Sequence, residues 1–551
     1  MRQHMRPFGF YIAALLLFTG LAVQAIEPTR HAMVPMTDGT RLATDIYLPE
    51  GEGPWPVLVL RSTYSRWSAV RGFLGSDFRA RGYAGVVQDV RGMGMSEGDG
   101  HVFFYDGWRK GLTDGADTIA WVREQPWCDG HVGTYGTSAM AMTQMLMAPV
   151  TPGIGAQYVN MTPSSYYFDV VYPGGVFRQN LVELWLFAVG QHELVEFYRE
   201  RPYYTAFWHY YDVEGRAADI TAPAVFVTGW YDIFQQGAID GFVSREKNGG
   251  PGARGSNYLI IKPGGHQHSR TKDYAWVKDE RPVSFGGLRN AFYDYHLKGK
   301  TGALDGMPKV MYFTLGEDSP DAPGNAWRTA ETWPPFETNN TPWYLHADGS
   351  LSPEAPGDAA ASRGFEYDPG DPYPTLGGNN LFQNIEIGPF DQRKHSKTRT
   401  DLLKFASAPL EEPLEVTGRV RVRLFVSTDA PDTDFTAKFL DVFPDGREIN
   451  ILDGIQRVKL RKDYAKPEPL LEGPERIVEI EIDLWSTSWI LNTGHRAGLH
   501  VSSSNYPRFE PNPNTGADHP EAGEEKRTAH NAVHMDAAHP SAIVLPVRPA
   551  E

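Results

Sequence analysis

A single cysteine, Cys128, in 551 residues excludes an internal disulfide and any metal centre built on several thiolates. Positive charge is in deficit. The chain has 52 lysines and arginines against 68 aspartates and glutamates, a formal net charge of −16. That balance argues against non-specific binding of nucleic acid or an anionic membrane. Long apolar runs are scarce too, and beyond the N-terminus no segment is apolar enough to span a bilayer. The run at 8–23 follows Arg2, His4 and Arg6 and leads into Val23-Gln24-Ala25. Charged region, apolar centre and small-residue site in that order predict a secretory signal cleaved after Ala25. An uncleaved anchor is the other reading, although the run is short for a spanning helix. The expected mature chain begins near Ile26 and is periplasmic or secreted, with no stable membrane association. The glycine-rich stretch at 91–98 lacks a following Gly-Lys-Ser/Thr and fails the dinucleotide spacing, so it predicts no phosphate cradle. There is no internal repeat.

What is present is globular and too long for one core. Residues 31–49 predict a β-hairpin around the turn Thr37-Asp38-Gly39-Thr40, with Val34 and Met36 on one face. Continuous apolar runs at 56–60, 83–90, 155–160, 224–228 and 258–262 predict strands covered on both faces. Residues 113–124 and 139–148 have helical composition and spacing. Strands alternating with helices predict a mostly parallel sheet. The rhythm breaks between 162 and 219, a stretch dense in Tyr, Phe and Trp that predicts an inserted helical cap. Most of its aromatics would pack the insertion, and a few would line a pocket. From about 308 the period becomes two, as in Val478, Ile480, Ile482 and Leu484 and in Phe435, Ala437 and Phe439. That predicts an all-β domain of sandwich type. The expected division is a signal at 1–25, an α/β core at 26–161 and 220–300, a cap at 162–219 and the β domain at 308–551.

The chain is organised around Gly136-Thr137-Ser138, set between a buried strand and the helix from Ala139. A serine on such a turn is a nucleophile elbow, its hydroxyl raised above the sheet. A serine merely capping a helix is the plain alternative. The second glycine of the motif is replaced by Met140, with small Ala141 one place on. A nucleophilic serine needs a base, and the base an orienting carboxylate. In α/β-hydrolase order these follow later strands, which selects Asp232 after the strand at 224–228 and His266 after that at 258–262. His268 is the alternative base. A metal pair at His266-Gln267-His268 would want a third ligand that the sequence does not offer. An oxyanion hole would take the N–H of Ala139 and a second donor after the strand at 56–60. Tyr64 is the candidate there, its alternative being a tyrosine packed at a strand end. Asp89 and Arg91 are expected to pair and brace the active-site loops.

Arg61-Ser62-Thr63-Tyr64, Gln88-Asp89-Val90-Arg91-Gly92, Ser96-Glu97-Gly98 and Gln125-Pro126-Trp127-Cys128-Asp129-Gly130 resemble the CocE/NonD family of serine hydrolases. So do Gly229-Trp230-Tyr231-Asp232, Pro263 with His266, Asp434-Phe435-Thr436-Ala437-Lys438 and the stretch at 501–509. The family includes cocaine esterase, α-amino acid ester hydrolases, glutaryl-cephalosporin acylases and X-Pro dipeptidyl-peptidases. The resemblance spans nearly the whole mature chain. It implies an α/β-hydrolase core, a helical cap and a C-terminal jelly roll of the galactose-binding-like type. It also implies Ser138, Asp232 and His266 as nucleophile, acid and base, and Tyr64 with Ala139 as the oxyanion hole. One departure stands out. The family's usual Gly-X-Ser-Tyr-X-Gly is here Gly-Thr-Ser-Ala-Met-Ala, and loss of that aromatic ring should enlarge or reshape the acyl pocket.

The expectation is a secreted serine hydrolase for small ester or amide substrates, with no metal or organic cofactor and no nucleic-acid partner. Homo-oligomerisation is left open. An X-Pro dipeptidyl-peptidase would need carboxylates to hold a free amino terminus, for which Asp169, Glu183 and Glu193 are the cap candidates. From another class, a carbohydrate- or surface-binding protein would use the β domain and keep the hydrolase core silent.

Overall fold

The structure is a computed structural model that describes residues 27–69, 78–267, 271, 273–274, 280–468, 470, 476–520 and 525–549. The expected signal segment and the alternative base His268 lie outside the described residues.

The first half is built on strands whose sequences leave no face for water. β1 (Arg30–Pro35) and β2 (Arg41–Tyr47) form the expected antiparallel hairpin, with Val34 and Met36 buried. β3 (Trp55–Ser62), β4 (Ala84–Asp89), β5 (Cys128–Thr137), β6 (Ala156–Asn160), β7 (Ala224–Tyr231), β8 (Tyr258–Gly265) and β9 (Val310–Gly316) follow. They pair in parallel in the order β4-β3-β5-β6-β7-β8-β9. β2 closes one side antiparallel to β4, and β10 (Ala326–Ala330) the other antiparallel to β9. The helices are α1 (Asp114–Arg123), α2 (Ala139–Met147), α3 (Gln179–Ala188), α4 (Leu194–Arg199), α5 (Gln235–Asn248) and α6 (Phe285–Lys298). Along β3, side chains alternate between two cores. Val57 and Val59 join a core that includes α1, α2 and α5, whereas Leu58 and Leu60 join Leu288, Phe292 and Leu297 of α6 on the opposite face. Burial on both faces explains why these strands read as unbroken apolar runs.

The sheet continues past residue 300. β9 and β10 belong to it, although the sequence reading assigns that stretch to the all-β domain. The cause is the run Val310-Met311-Tyr312-Phe313, whose side chains are all buried against β8 and its neighbours. Between β6 and β7 the chain carries α3, α4 and short helical turns. Aromatics fill this segment: Tyr167, Tyr172 and Trp208 lie in mutual ring contact at 5.3–5.9 Å.

The C-terminal half is an all-β domain of two sheets. One is centred on Leu414–Thr428, which pairs antiparallel with Val478–Leu491. The other runs Leu403–Ala406, Arg496–Ser502, Asp434–Val442 and Glu448–Arg457. In Asp434–Val442 the alternation is not one of buried against exposed. Thr436 and Lys438 are buried as well, because 370–400 covers that face. Lys438 donates to Gln392 at 2.9 Å there, and burial lowers its ammonium pKa to about 8.

Buried ion pairs fix the loops above the sheet. Asp89 and Arg91 do not pair with each other, contrary to the sequence reading. Asp89 accepts from the backbone N–H and guanidinium of Arg66 at 2.5 and 2.6 Å, while Arg91 binds Asp38 and Asp114 at 2.7 Å. Both still brace loops, but to different elements: Arg66 follows β3, and Asp114 opens α1. At the end of β3, Arg61 pairs with Asp106 and donates to Gln88, with both members of the ion pair buried. Removing one partner of a buried pair strands the other charge without solvent. Asp106→Ala is therefore expected to cost about 3–5 kcal/mol of unfolding free energy, read from urea denaturation.

Candidate active site

Ser138 connects β5 to α2 with φ 59° and ψ −126°. A non-glycine residue rarely adopts such a backbone, and it is the strained geometry of a nucleophile elbow. The Ser138 N–H donates to Asn160 O at 2.9 Å, so the neighbouring strand holds the turn from one side. On the other side, a Cβ at Gly136 would lie 2.4 Å from the Met140 carbonyl oxygen. Only glycine lets strand and helix come this close. The capping alternative fails, since the Ser138 side chain makes no cap hydrogen bond to α2. The hydroxyl is thereby left available at a helix N-terminus, where Ala139 is the first residue of α2 and its N–H has no intrahelical acceptor.

Asp232 and His266 lie just beyond the ends of β7 and β8. His266 Nδ1 is 2.7 Å from Asp232 Oδ2, with side chains 6 % and 0 % exposed. The other carboxylate oxygen accepts the Phe234 N–H at 2.7 Å. Phe234 stands edge-on to the His266 ring at 5.8 Å and lines the same pocket as Ser138. The structure thus brings Asp232 and His266 into direct contact, and Phe234, which touches the His266 ring, shares the pocket wall with Ser138.

Tyr64 lies in the turn after β3 and is 39 % exposed, so it is not a tyrosine packed at a strand end. Its hydroxyl accepts the Trp185 indole N–H at 3.2 Å and has the Ser138 side chain as a neighbour. Desolvation around the hydroxyl raises its pKa, with Trp185 and Ser138 pulling the other way. The phenol therefore keeps its proton. With its oxygen occupied by Trp185, it has that proton to donate towards Ser138. Trp185 itself stacks on Phe103 at 5.6 Å.

The pocket beside Ser138 is apolar. Phe103, Ala139, Met142, Val170, Leu181 and Ile233 are among its walls, together with Tyr166, Trp185 and Tyr198 from the aromatic-rich segment. The three cap carboxylates singled out in the sequence are not among the lining residues. Asp169 faces a different cavity, Glu183 pairs with Arg199 at 2.7 Å, and Glu193 is 56 % exposed beside His192. Among the described residues no three His, Cys, Asp or Glu side chains are placed to hold a metal ion, and no helix is long and apolar enough to cross a membrane.

Sequence reasoning missed the residues that hold the acid loop. The buried guanidinium of Arg178 donates to the carbonyls of Ile233 (2.8 Å), Asp169 (3.1 Å) and Asn379 (2.7 Å). Desolvation lowers its pKa well below the usual arginine value. Asn379, from the C-terminal half, donates in turn to the carbonyls of Trp230 and Asp232 at 3.1 and 2.8 Å. Pattern and period carry no trace of these contacts, because both side chains act on backbone carbonyls, most of them far away in the chain. Asn379→Ala removes a donor from two carbonyls of the acid loop, and among the described residues the Asp232 carbonyl keeps only the Gln235 N–H. It should cost about 1–3 kcal/mol by denaturant titration and lower kcat more than it raises KM in ester hydrolysis, because Asp232 loses its support.

The comparisons with known proteins agree with this geometry. Residues 38–196 and 188–268 match the X-Pro dipeptidyl-peptidase (S15) family, and residues 301–544 match the X-Pro dipeptidyl-peptidase C-terminal non-catalytic domain. Cocaine esterase of a Rhodococcus species is 35 % identical, over 94 % of this chain and 98 % of its own. A crystal structure of an aminopeptidase from a marine-sediment thaumarchaeon superposes with a TM-score of 0.79 at 24 % identity, covering 96 % of this chain and 98 % of that one. An α-amino acid ester hydrolase gives 0.78 at 23 %, covering 99 % and 100 %. These two likenesses speak for the fold alone. The paired acid and histidine, the elbow serine, the α/β core with its all-β partner and the match to a curated esterase converge on one statement: the chain belongs to the CocE/NonD (S15) family of serine hydrolases.

Proposed function

We propose that the protein is a serine esterase for small esters with apolar acyl groups, working through an acyl-enzyme on Ser138. The observation that carries this reading is the strained Ser138 elbow opening on an apolar pocket beside the His266–Asp232 pair. In the proposed reaction the Ser138 hydroxyl oxygen attacks the ester carbonyl while His266 Nε2 takes its proton. Nδ1, bound to Asp232, keeps the ring in the required tautomer. The developing oxyanion receives the Tyr64 O–H and the Ala139 N–H. Collapse breaks the ester C–O bond, and His266 returns the proton to the leaving alcohol. Water, deprotonated by the same histidine, then releases the acid. We also propose that the mature chain starts near Ile26 and works outside the cytoplasm, on the strength of the N-terminal sequence pattern.

Pocket size narrows the substrate. The pocket volume is about 40 Å³, room for a few atoms of acyl chain. The p-nitrophenyl esters of acetate and butyrate should be turned over with higher kcat/KM than the octanoate by about tenfold or more, a loss of roughly 1.4 kcal/mol in transition-state binding. Equal or better turnover of octanoate would contradict the pocket assignment. Ser138→Ala should lower kcat about 10⁵–10⁶-fold, and Tyr64→Phe about 10²–10³-fold with KM little changed.

The dipeptidyl-peptidase reading is disfavoured by the pocket lining, which contains no carboxylate to neutralise a free amino terminus. An aminoacyl ester and its N-acetyl form separate the two readings. The esterase accepts the N-acetyl form at least as well, whereas amino-terminal recognition would require the free amine.

A further inference from the structure

A second, larger cavity of about 700 Å³ lies between the helical segment and the all-β domain. Seven carboxylates and four guanidiniums line it. Each guanidinium already has a carboxylate: Arg419 bridges Asp240 and Asp483, Arg421 meets Glu481, Arg461 meets Glu468 and Arg508 meets Asp453. Asp169, Asp212 and Glu214 are left with no cationic partner within salt-bridge distance among the described residues. All three belong to the hydrolase half. Aromatic rings from both halves, Phe168, Tyr464 and Trp485, share the lining. Trp485 is held at φ 71°, a strained backbone for a bulky residue.

A second kind of observation points to a missing ligand. Ser165 is 4 % exposed and lines the cavity, and its hydroxyl, which could accept from a ligand, has no hydrogen-bond partner among the described residues. Buried polar groups are rarely left so. We propose that this cavity binds a small organic ammonium ion, held by Asp169, Asp212 and Glu214 against the faces of the aromatic rings. The excess of carboxylates selects a cation. The rings favour an alkylammonium over a hydrated inorganic ion, and among the described residues no three ligating side chains are placed for a metal. A neutral sugar would leave the charge unbalanced. The site stands apart from the esterase reading, because Asp169 faces this cavity while its neighbour Val170 lines the acyl pocket.

Burial lifts Asp169 to about 8 and Glu214 to about 7, with Asp240 and, for Glu214, Asp212 pushing the same way and Arg419 opposing. From the β side Arg421, Asp453, Glu481, Asp483 and Arg508 also face the cavity. Asp169 and Glu214 are thus largely protonated in mild acid, and a cation must displace those protons.

The test is isothermal titration calorimetry of the full mature chain with 1,4-diaminobutane, beside 1,4-butanediol, potassium chloride and galactose. Saturable diamine binding that tightens about tenfold or more from about pH 6 to about pH 8.5 is expected. Glu214→Gln and Asp212→Asn, each checked for a native melting curve, should weaken it about tenfold or more. Absence of diamine binding at millimolar concentration in the wild-type chain overturns the proposal. So does diol or galactose binding as tight as the diamine, and so does diamine binding that both variants leave unchanged.

Discussion

The candidate site depends on one serine held in a backbone conformation it would not choose. A non-glycine residue at φ 59° and ψ −126° carries roughly 1–3 kcal/mol of strain and persists only when its surroundings leave no alternative. Here the constraint comes from three sides. The β5 ladder runs on into the Ser138–Asn160 hydrogen bond. The bare Cα of Gly136 admits the α2 backbone at a distance that no other residue tolerates. Behind these, α2 is buried almost along its whole length, with Gln144 and Thr134 in a 2.6 Å hydrogen bond that ties helix to strand. Relaxing the turn would mean unpacking that helix, so the sheet holds the serine hydroxyl above the apolar pocket.

The second constraint comes from the C-terminal half, which supports the acid loop. Asn379 grips the Trp230 and Asp232 carbonyls, Arg178 joins that loop to the helical segment, and Gln235 donates to Ser486 at 2.8 Å. β9 also pairs briefly with Val478–Leu491, so the α/β sheet and the β domain share backbone hydrogen bonds. A non-catalytic domain fused to a hydrolase thereby gains a physical role, since it fixes the orientation of the carboxylate that fixes the histidine.

Much of this was legible in the sequence where the signal is local. Doubly buried strands such as 57–60 announce themselves as apolar runs, and the elbow at Gly136-Thr137-Ser138 follows from the strand–serine–helix order. Asp232 and His266 follow because loops after later strands are where an acid and a base can meet an elbow. What stayed hidden is non-local. The partners of Asp89 and Arg91 lie across the fold, at Arg66, Asp38 and Asp114, and adjacency in the chain suggested the wrong pairing. The share of the aromatic-rich segment that lines the pocket, Tyr166, Trp185 and Tyr198, could not be separated from the share that stacks on itself, because both look alike in composition. β9 pairs both with β8 and with Val478–Leu491, and a buried strand's apolar run does not say which sheets bury it.

The most direct test of the account is covalent. The chain from Ile26 onward would be treated with a fluorophosphonate probe, its intact mass measured and the modified peptide mapped, beside Ser138→Ala. The account predicts a single adduct on Ser138 that is absent from the variant. A folded protein that takes no adduct, or takes one on another residue and keeps it in Ser138→Ala, would contradict the central claim that the strained elbow carries the nucleophile.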